Sequence, residues 1–295
     1  LGDVYKRQAY TNMTSDILKA RSDAKLNQGQ NFSRLMSFAM YGPKSPATNL
    51  LTEVELTNMN PQELVDRIHN QNSYKHRILY YGPSSSKDLL ATINQYHQVP
   101  ATLKDIPAGN EYAYLETPVT KVLVAPYDAK QIYMAQISNL DKKYDPAIEP
   151  IRALYDEYFG GGMNSIVFQE MRETRGLAYS AWASIMPPSY LKYPYVLRTQ
   201  IATQNDKMID AVTTFNDIIN NMPESEAAFK LAKDGLTNRL RTERIIKGDI
   251  IWSYINAQDL GQNVDPRIKL YNDIQNMSLK DIVDFQKQWL SLIHI

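Results

Sequence analysis

Cysteine is absent from the 295 residues, which excludes a disulfide framework, a thiolate nucleophile and thiolate metal ligands. The compartment stays open, because cysteine-free chains occur in reducing and oxidising locations alike. Net charge is missing too: 32 Lys plus Arg balance 32 Asp plus Glu. No overall field therefore selects nucleic acid, an anionic membrane or an acidic substrate. No apolar run reaches 18 residues, so no membrane-spanning helix is expected, and nothing at the start reads as a signal peptide. Histidine is scarce. The four are His69, His76, His97 and His294, and none has a glutamate beside it. The His-Glu-x-x-His and His-x-x-Glu-His arrangements, which set two imidazoles and a carboxylate on one helix for zinc hydrolysis, do not occur. A three-dimensional cluster of His69, His76 and His97 is the one metal site left to consider, and scattered histidines are a weak signal for it. A Gly-x-Ser-x-Gly nucleophile elbow is likewise lacking.

What is present is 43% hydrophobic residues, enough to build one large or two medium cores. An internal repeat suggests two. Leu56 to Asp66 (LTNMNPQELVD) realigns with Ile274 to Asp284 (IQNMSLKDIVD) at a constant offset of 218. Asn58 or Asn60 in the first copy, and Asn276 or Ser278 in the second, sit where an N-cap belongs, with Glu63 and Asp281 in the capping-box position after Asn60 and Ser278. So long a period points to duplicated domains and not to a solenoid. The expected division is residues 9–100 as the C-terminal part of one domain, 101–111 as a linker overlapping the Pro-containing stretch Val99 to Gly109 (VPATLKDIPAG), and 112–289 as a second, truncated copy. Residues 1–8 (LGDVYKRQ) and 290–295 (LSLIHI) read as non-native scars, so a gene product longer at both ends is expected.

His76 to Pro83 reads as a strand ended by a Gly-Pro breaker, as do Tyr112 to Glu116, Lys121 to Ala125, Gln131 to Ser138, Leu177 to Met186 and Tyr195 to Ala202. By the repeat, the counterpart of the first of these would begin near residue 294, so the last domain is expected to lack a strand its sibling has. Helical spacing marks Pro150 to Phe159 and Ser165 to Arg172, and then 206–221, 224–246, 248–260 and 278–289. Strands followed by helices make each domain α+β, a mostly antiparallel sheet packed against a layer of helices, with the last domain incomplete.

Gly160, Gly161 and Gly162 invite a phosphate-loop reading, but Met163-Asn164-Ser165 follows where Gly-Lys-Ser/Thr belongs, and a helix precedes where a strand should. A hinge between two helices is the simpler assignment, with a substrate-contacting loop as the alternative. Glu170 and Glu173 share a helix face, which by itself is a solvated surface. Trp182 and Tyr179, three apart, point to opposite faces of their strand.

The segment Tyr158 to Ser184, YFGGGMNSIVFQEMRETRGLAYSAWAS, closely resembles the stretch found in each domain of the pitrilysin/insulinase family of zinc metallopeptidases, and the resemblance extends over most of residues 9–289. It implies a C-terminal portion that carries no metal, with zinc held in an N-terminal domain of the same protein or in a partner subunit. It also implies a closed chamber in which an Arg and a Tyr seven residues later reach the peptide substrate. Arg172 and Tyr179 meet that spacing here. The resemblance casts Tyr179 as an oxyanion donor and Arg172 as a carbonyl contact, both stabilising charge that develops in the transition state. Arg175, directly before Gly176, competes with Arg172 but suits a surface role. The family also includes peptidase-like subunits that serve as scaffolds, so a non-catalytic assembly module is the second expectation. Without a metal the isolated chain is expected to be inactive.

Overall fold

A computed structural model describes residues 2–290. Residues 291–295, with His294 and the place where the missing strand would begin, lie outside that range. The chain forms two compact units, one of residues 1–34 and 43–112 and one of residues 35–42 and 113–295.

Up to residue 112 the elements are helical: α1 (Gly2–Lys25), α2 (Gln28–Tyr41), α3 (Glu53–Asn58), α4 (Pro61–Asn70) and α5 (Ser86–Tyr96). Their starts follow local capping chemistry. Thr52 and Glu55 close a capping box at α3. Asn60 accepts a bond from the Gln62 N–H ahead of Pro61, in the first position of α4, so the first repeat copy begins a helix at the expected residue. The strand expected at His76 to Pro83 forms no ladder. In that unit the one β contact among the described residues is an isolated parallel bridge between Tyr74 and Lys104. Tyr112 to Glu116 and Lys121 to Ala125 also run without ladder partners, and Val122 and Val124 lie exposed. An apolar, β-branched run marks a chain able to enter a sheet, but the ladder itself needs a neighbour.

Among the described residues, the second unit contains one sheet. Strands β1 (Gln131–Lys143), β2 (Ser180–Met186) and β3 (Pro194–Gln204) are antiparallel in the order β1-β3-β2. The register of β1 shifts between Asn139 and Lys143, where Asp141 adopts a positive φ of 50°. On β2, Ala181, Ala183 and Ile185 are buried and alternate with half-buried neighbours. Packed with them are α6 (Glu149–Phe159), α7 (Ile166–Phe168), α8 (Met208–Asn220), α9 (Glu226–Thr242), α11 (Pro266–Ile274) and α12 (Leu279–Leu290), and α10 (Gly248–Asp259) connects α9 to α11 in the chain. Leu154, Tyr155, Phe159, Phe215, Ile274, Ile282, Phe285 and Trp289 all join the core. At α12 the second repeat copy again starts a helix, with the Ser278 N–H and hydroxyl both donating to Asp281 at 2.7 Å. The α+β class holds, and among the described residues no helix is long and apolar enough to cross a membrane.

Among the described residues, no fourth strand covers the outer edge of β2. There α6 supplies side chains in its place: the Ile185 N–H donates to Asp156 Oδ1 at 2.8 Å, and Arg152 donates to the Ile185 carbonyl at 3.1 Å. Arg152 and Asp156 pair at 2.7 Å, one helical turn apart, and the Ser184 hydroxyl completes the carboxylate's shell at 2.8 Å. Glu149 holds the other side of Arg152 at 2.9 Å and accepts from the Tyr195 hydroxyl at 2.6 Å. Both backbone groups of an edge residue are thereby satisfied without a strand. The helix can lie this close because of Gly160. A Cβ there would sit 2.3 Å from the Ala183 carbonyl oxygen, and one at Gly161 2.8 Å from the Asp156 oxygen, whereas Gly162 has only the tip of Glu157 at 3.9 Å. Packing thus accounts for two of the three glycines. Gly160→Ala is expected to cost about 1–3 kcal/mol by overpacking and Gly162→Ala almost nothing; thermal melts of the two variants measure the contrast.

Burial pushes Asp156 up to about 6 from its ordinary 3.8, against the opposing pull of Arg152 and the bonds from Ile185 and Ser184. The folded state therefore holds this proton more tightly than the unfolded chain does. Its stabilisation is complete below about pH 4 and fades as the pH rises through about 6. Between pH 4 and 6, Asp156→Asn should flatten the pH dependence of the melting temperature relative to the parent, by removing a component that falls with rising pH; identical slopes would rule this out.

Candidate functional site

The glycine run leads into Ser165, whose hydroxyl accepts from the Phe168 N–H to cap α7. The helix expected from Ser165 to Arg172 then widens into a π-turn over Gln169–Thr174, a form often found at functional positions. Met171 is fully buried and anchors the turn, its carbonyl accepting from Leu177 at 2.8 Å and Ala178 at 3.2 Å. The reversal requires Gly176, which has a positive φ of 57°. Its N–H bonds the Arg172 carbonyl at 3.1 Å, and its own carbonyl accepts from Lys207 at 3.0 Å. From there the chain joins the sheet: the Thr203 hydroxyl donates to the Leu177 carbonyl and the Tyr179 N–H to the Ala202 carbonyl at 2.8 Å.

This turn brings Arg172 and Tyr179 together. The guanidinium carbon lies 5.7 Å from the Tyr179 ring centroid and 5.0 Å from that of Phe168, within cation–π range of both. Glu173 is 3.6 Å from Arg172 Nε. The Tyr179 side chain is 73% exposed, and that of Arg172 45%. A guanidinium held against aromatic faces keeps its edge N–H groups available to a carbonyl or carboxylate, and the Tyr179 phenol stands beside it as a second donor. Arg175 is paired with Glu170 at 3.3 Å, so Glu170 and Glu173 serve different arginines. Trp182 is turned away from the buried β2 side chains, 5.2 Å from the Arg198 guanidinium. Gly161 and Gly162 are exposed while Gly160 is buried.

Phe168 was not among the residues singled out from the sequence. Its signal was present: it lies four residues before Arg172, the spacing at which side chains meet on one helix face.

Among the described residues no group of three or more His, Cys, Asp or Glu could hold a metal ion. His76 and His97 do meet, with their Nε2 atoms 2.7 Å apart; His69 does not join them.

The family model described as the peptidase M16 inactive domain matches residues 78–236, more than half of the chain. No curated protein matches. Among solved structures, the fold is similar to a peptidase M16 inactive domain from Pseudomonas fluorescens, with a TM-score of 0.66 and 15% identity over 96% of this chain and 67% of that one. It is also similar to a conserved protein from Enterococcus faecalis, with a TM-score of 0.66 and 16% identity over 96% and 65%. A chain of complex III from Candida albicans matches with a TM-score of 0.60 and 12% identity over 94% and 68%. The chain thus spans about two thirds of each of these structures, and identities this low speak for the fold alone.

The Tyr179 hydroxyl makes no hydrogen bond among the described residues, so Tyr179→Phe should leave the chain's stability within about 0.5 kcal/mol of the parent, as a denaturant melt would register.

Proposed function

We propose, from the premise that this chain belongs to the peptidase M16 inactive-domain family, that it is the substrate-binding part of a zinc-dependent endopeptidase, the part that does not bear the peptidase metal. As a peptidase-like domain it is non-catalytic by itself. Its role is to close a chamber over a peptide, opposite a metal-bearing half on the same protein or a partner subunit. The carrying observation is the exposed group in which Arg172 lies against Phe168 and Tyr179.

In this reading Arg172 grips a peptide carbonyl, and Phe168 limits the guanidinium's freedom so that less entropy is lost on binding. The Tyr179 hydroxyl donates to the oxygen that gains charge as the scissile carbonyl becomes tetrahedral, a contact stronger in the transition state than in the ground state. When bound by the metal-bearing half, zinc supplies an activated water. The exposed Gly161 and Gly162 offer backbone N–H groups near the same turn, a lesser substrate contact.

A second reading is assembly. The match to a chain of complex III favours a peptidase-like scaffold, in which Arg172 and Tyr179 face a protein partner and no bond is cleaved. Kinetics of the intact protein separate the two. Under the first reading Tyr179→Phe lowers kcat for peptide cleavage by about 10²–10³ with an unchanged melting temperature. A kcat equal to the parent's would leave the assembly reading standing.

A further inference from the structure

The pairing of His76 and His97 is not used by the proposed peptidase role. Two independent features place it. His76 follows directly on the Tyr74–Lys104 bridge, where the Lys75 N–H donates to the Lys104 carbonyl and the Lys104 N–H to the Ser73 carbonyl, each at 2.8 Å. His97 closes the C-terminus of α5, its N–H bonded to the Ile93 carbonyl at 2.8 Å. The two backbones are thus fixed before the rings meet, at an interplanar angle of 86°.

The tautomers follow from the hydrogen bonds. His76 Nδ1 lies 2.6 Å from the Tyr74 carbonyl oxygen. A carbonyl only accepts, so Nδ1 carries the proton. In the neutral ring the Nε2 lone pair is then free and aimed at His97. The 2.7 Å contact requires His97 Nε2 to donate one proton into that lone pair. A carbonyl fixing Nδ1–H and leaving Nε2 as the donor atom is the arrangement that orients metal-bound imidazoles.

We propose that His76 and His97 form a two-imidazole binding site for a divalent transition-metal ion of the zinc type, the ion taking the place of the shared proton between the two Nε2 atoms. The neutral His97 then changes tautomer, its one proton passing through solvent from Nε2 to Nδ1, so each ring stays neutral and offers its Nε2 lone pair. Zinc–imidazole bonds of about 2.0–2.1 Å at a tetrahedral angle set the two nitrogens roughly 3.3 Å apart. The rings therefore separate by about 0.6 Å, a movement that the exposed His76 side chain accommodates. Water or an oxygen ligand fills the two remaining tetrahedral positions, one more than in a three-ligand open site. Magnesium, which prefers oxygen ligands, is not retained.

Titration of the full chain with Zn²⁺ by calorimetry, with Mg²⁺ as the control, tests this, together with long-range ¹H–¹⁵N spectra that report the ring nitrogens. The expected result is one saturable zinc equivalent, no magnesium binding, and perturbation of the Nε2 resonances of His76 and His97. His76→Gln and His97→Gln should each weaken binding by about tenfold or more, and His69→Gln should leave it unchanged. Zinc binding that is absent, equally strong in both pair variants, or lost on replacing His69 overturns the assignment. Circular dichroism of the variants separates lost ligands from a lost fold.

Discussion

One edge residue organises the second unit. Ile185 lies on the outer strand of the sheet, where its N–H and carbonyl face away from β3, and Asp156 and Arg152 of α6 bind them both. A bare edge exposes backbone groups to any passing strand. Here a helix takes the strand's place. The substitution works because the acceptor and donor sit one helical turn apart, and because Gly160 lets α6 approach the Ala183 backbone at a distance that no side chain tolerates.

The candidate site inherits its geometry from that arrangement. With α6 locked to β2 and β2 paired to β3, the Met171 carbonyl and Gly176 fix the turn between α7 and the sheet. Tyr179 is the last residue before β2, so its backbone position is set by the sheet while its ring reaches out to Arg172. A flexible loop would carry the same two residues without holding them in contact. The cost of the edge clamp is a carboxylate buried deeply enough to be pushed up to about 6, offset by a paired guanidinium and two further hydrogen bonds.

Much of this was legible in the chain. The three strands of the sheet, α6 and the later helices α8, α9, α10 and α12 follow apolar periodicity; α4 begins after Asn60, whose side chain accepts a free helix N–H, and α12 after Ser278, which donates to Asp281 of the first turn. Arg172 and Tyr179 were identified through the resemblance carried by Tyr158 to Ser184. The strands expected at His76 to Pro83, Tyr112 to Glu116 and Lys121 to Ala125 did not form ladders. Strand propensity is a property of a segment, whereas a ladder is a property of a pair. The π-turn was likewise not visible, since a bulge of one residue leaves the helical spacing almost unchanged.

By itself, then, the sequence determined that α4, α6, α7, α8, α9, α10 and α12 are helical, where α4 and α12 start, and that no zinc-peptidase motif is present, whereas α1, α2, α3, α5 and α11 were not read from it. Each of these depends on residues within a few positions of one another. Only the tertiary structure decided that Arg152 and Asp156 cap a sheet edge, that Gly160 is a point of contact, that Phe168 joins Arg172 and Tyr179, and that His76 meets His97 across 21 positions. These depend on groups brought together by packing, and composition and periodicity carry no record of which distant partner a side chain will find.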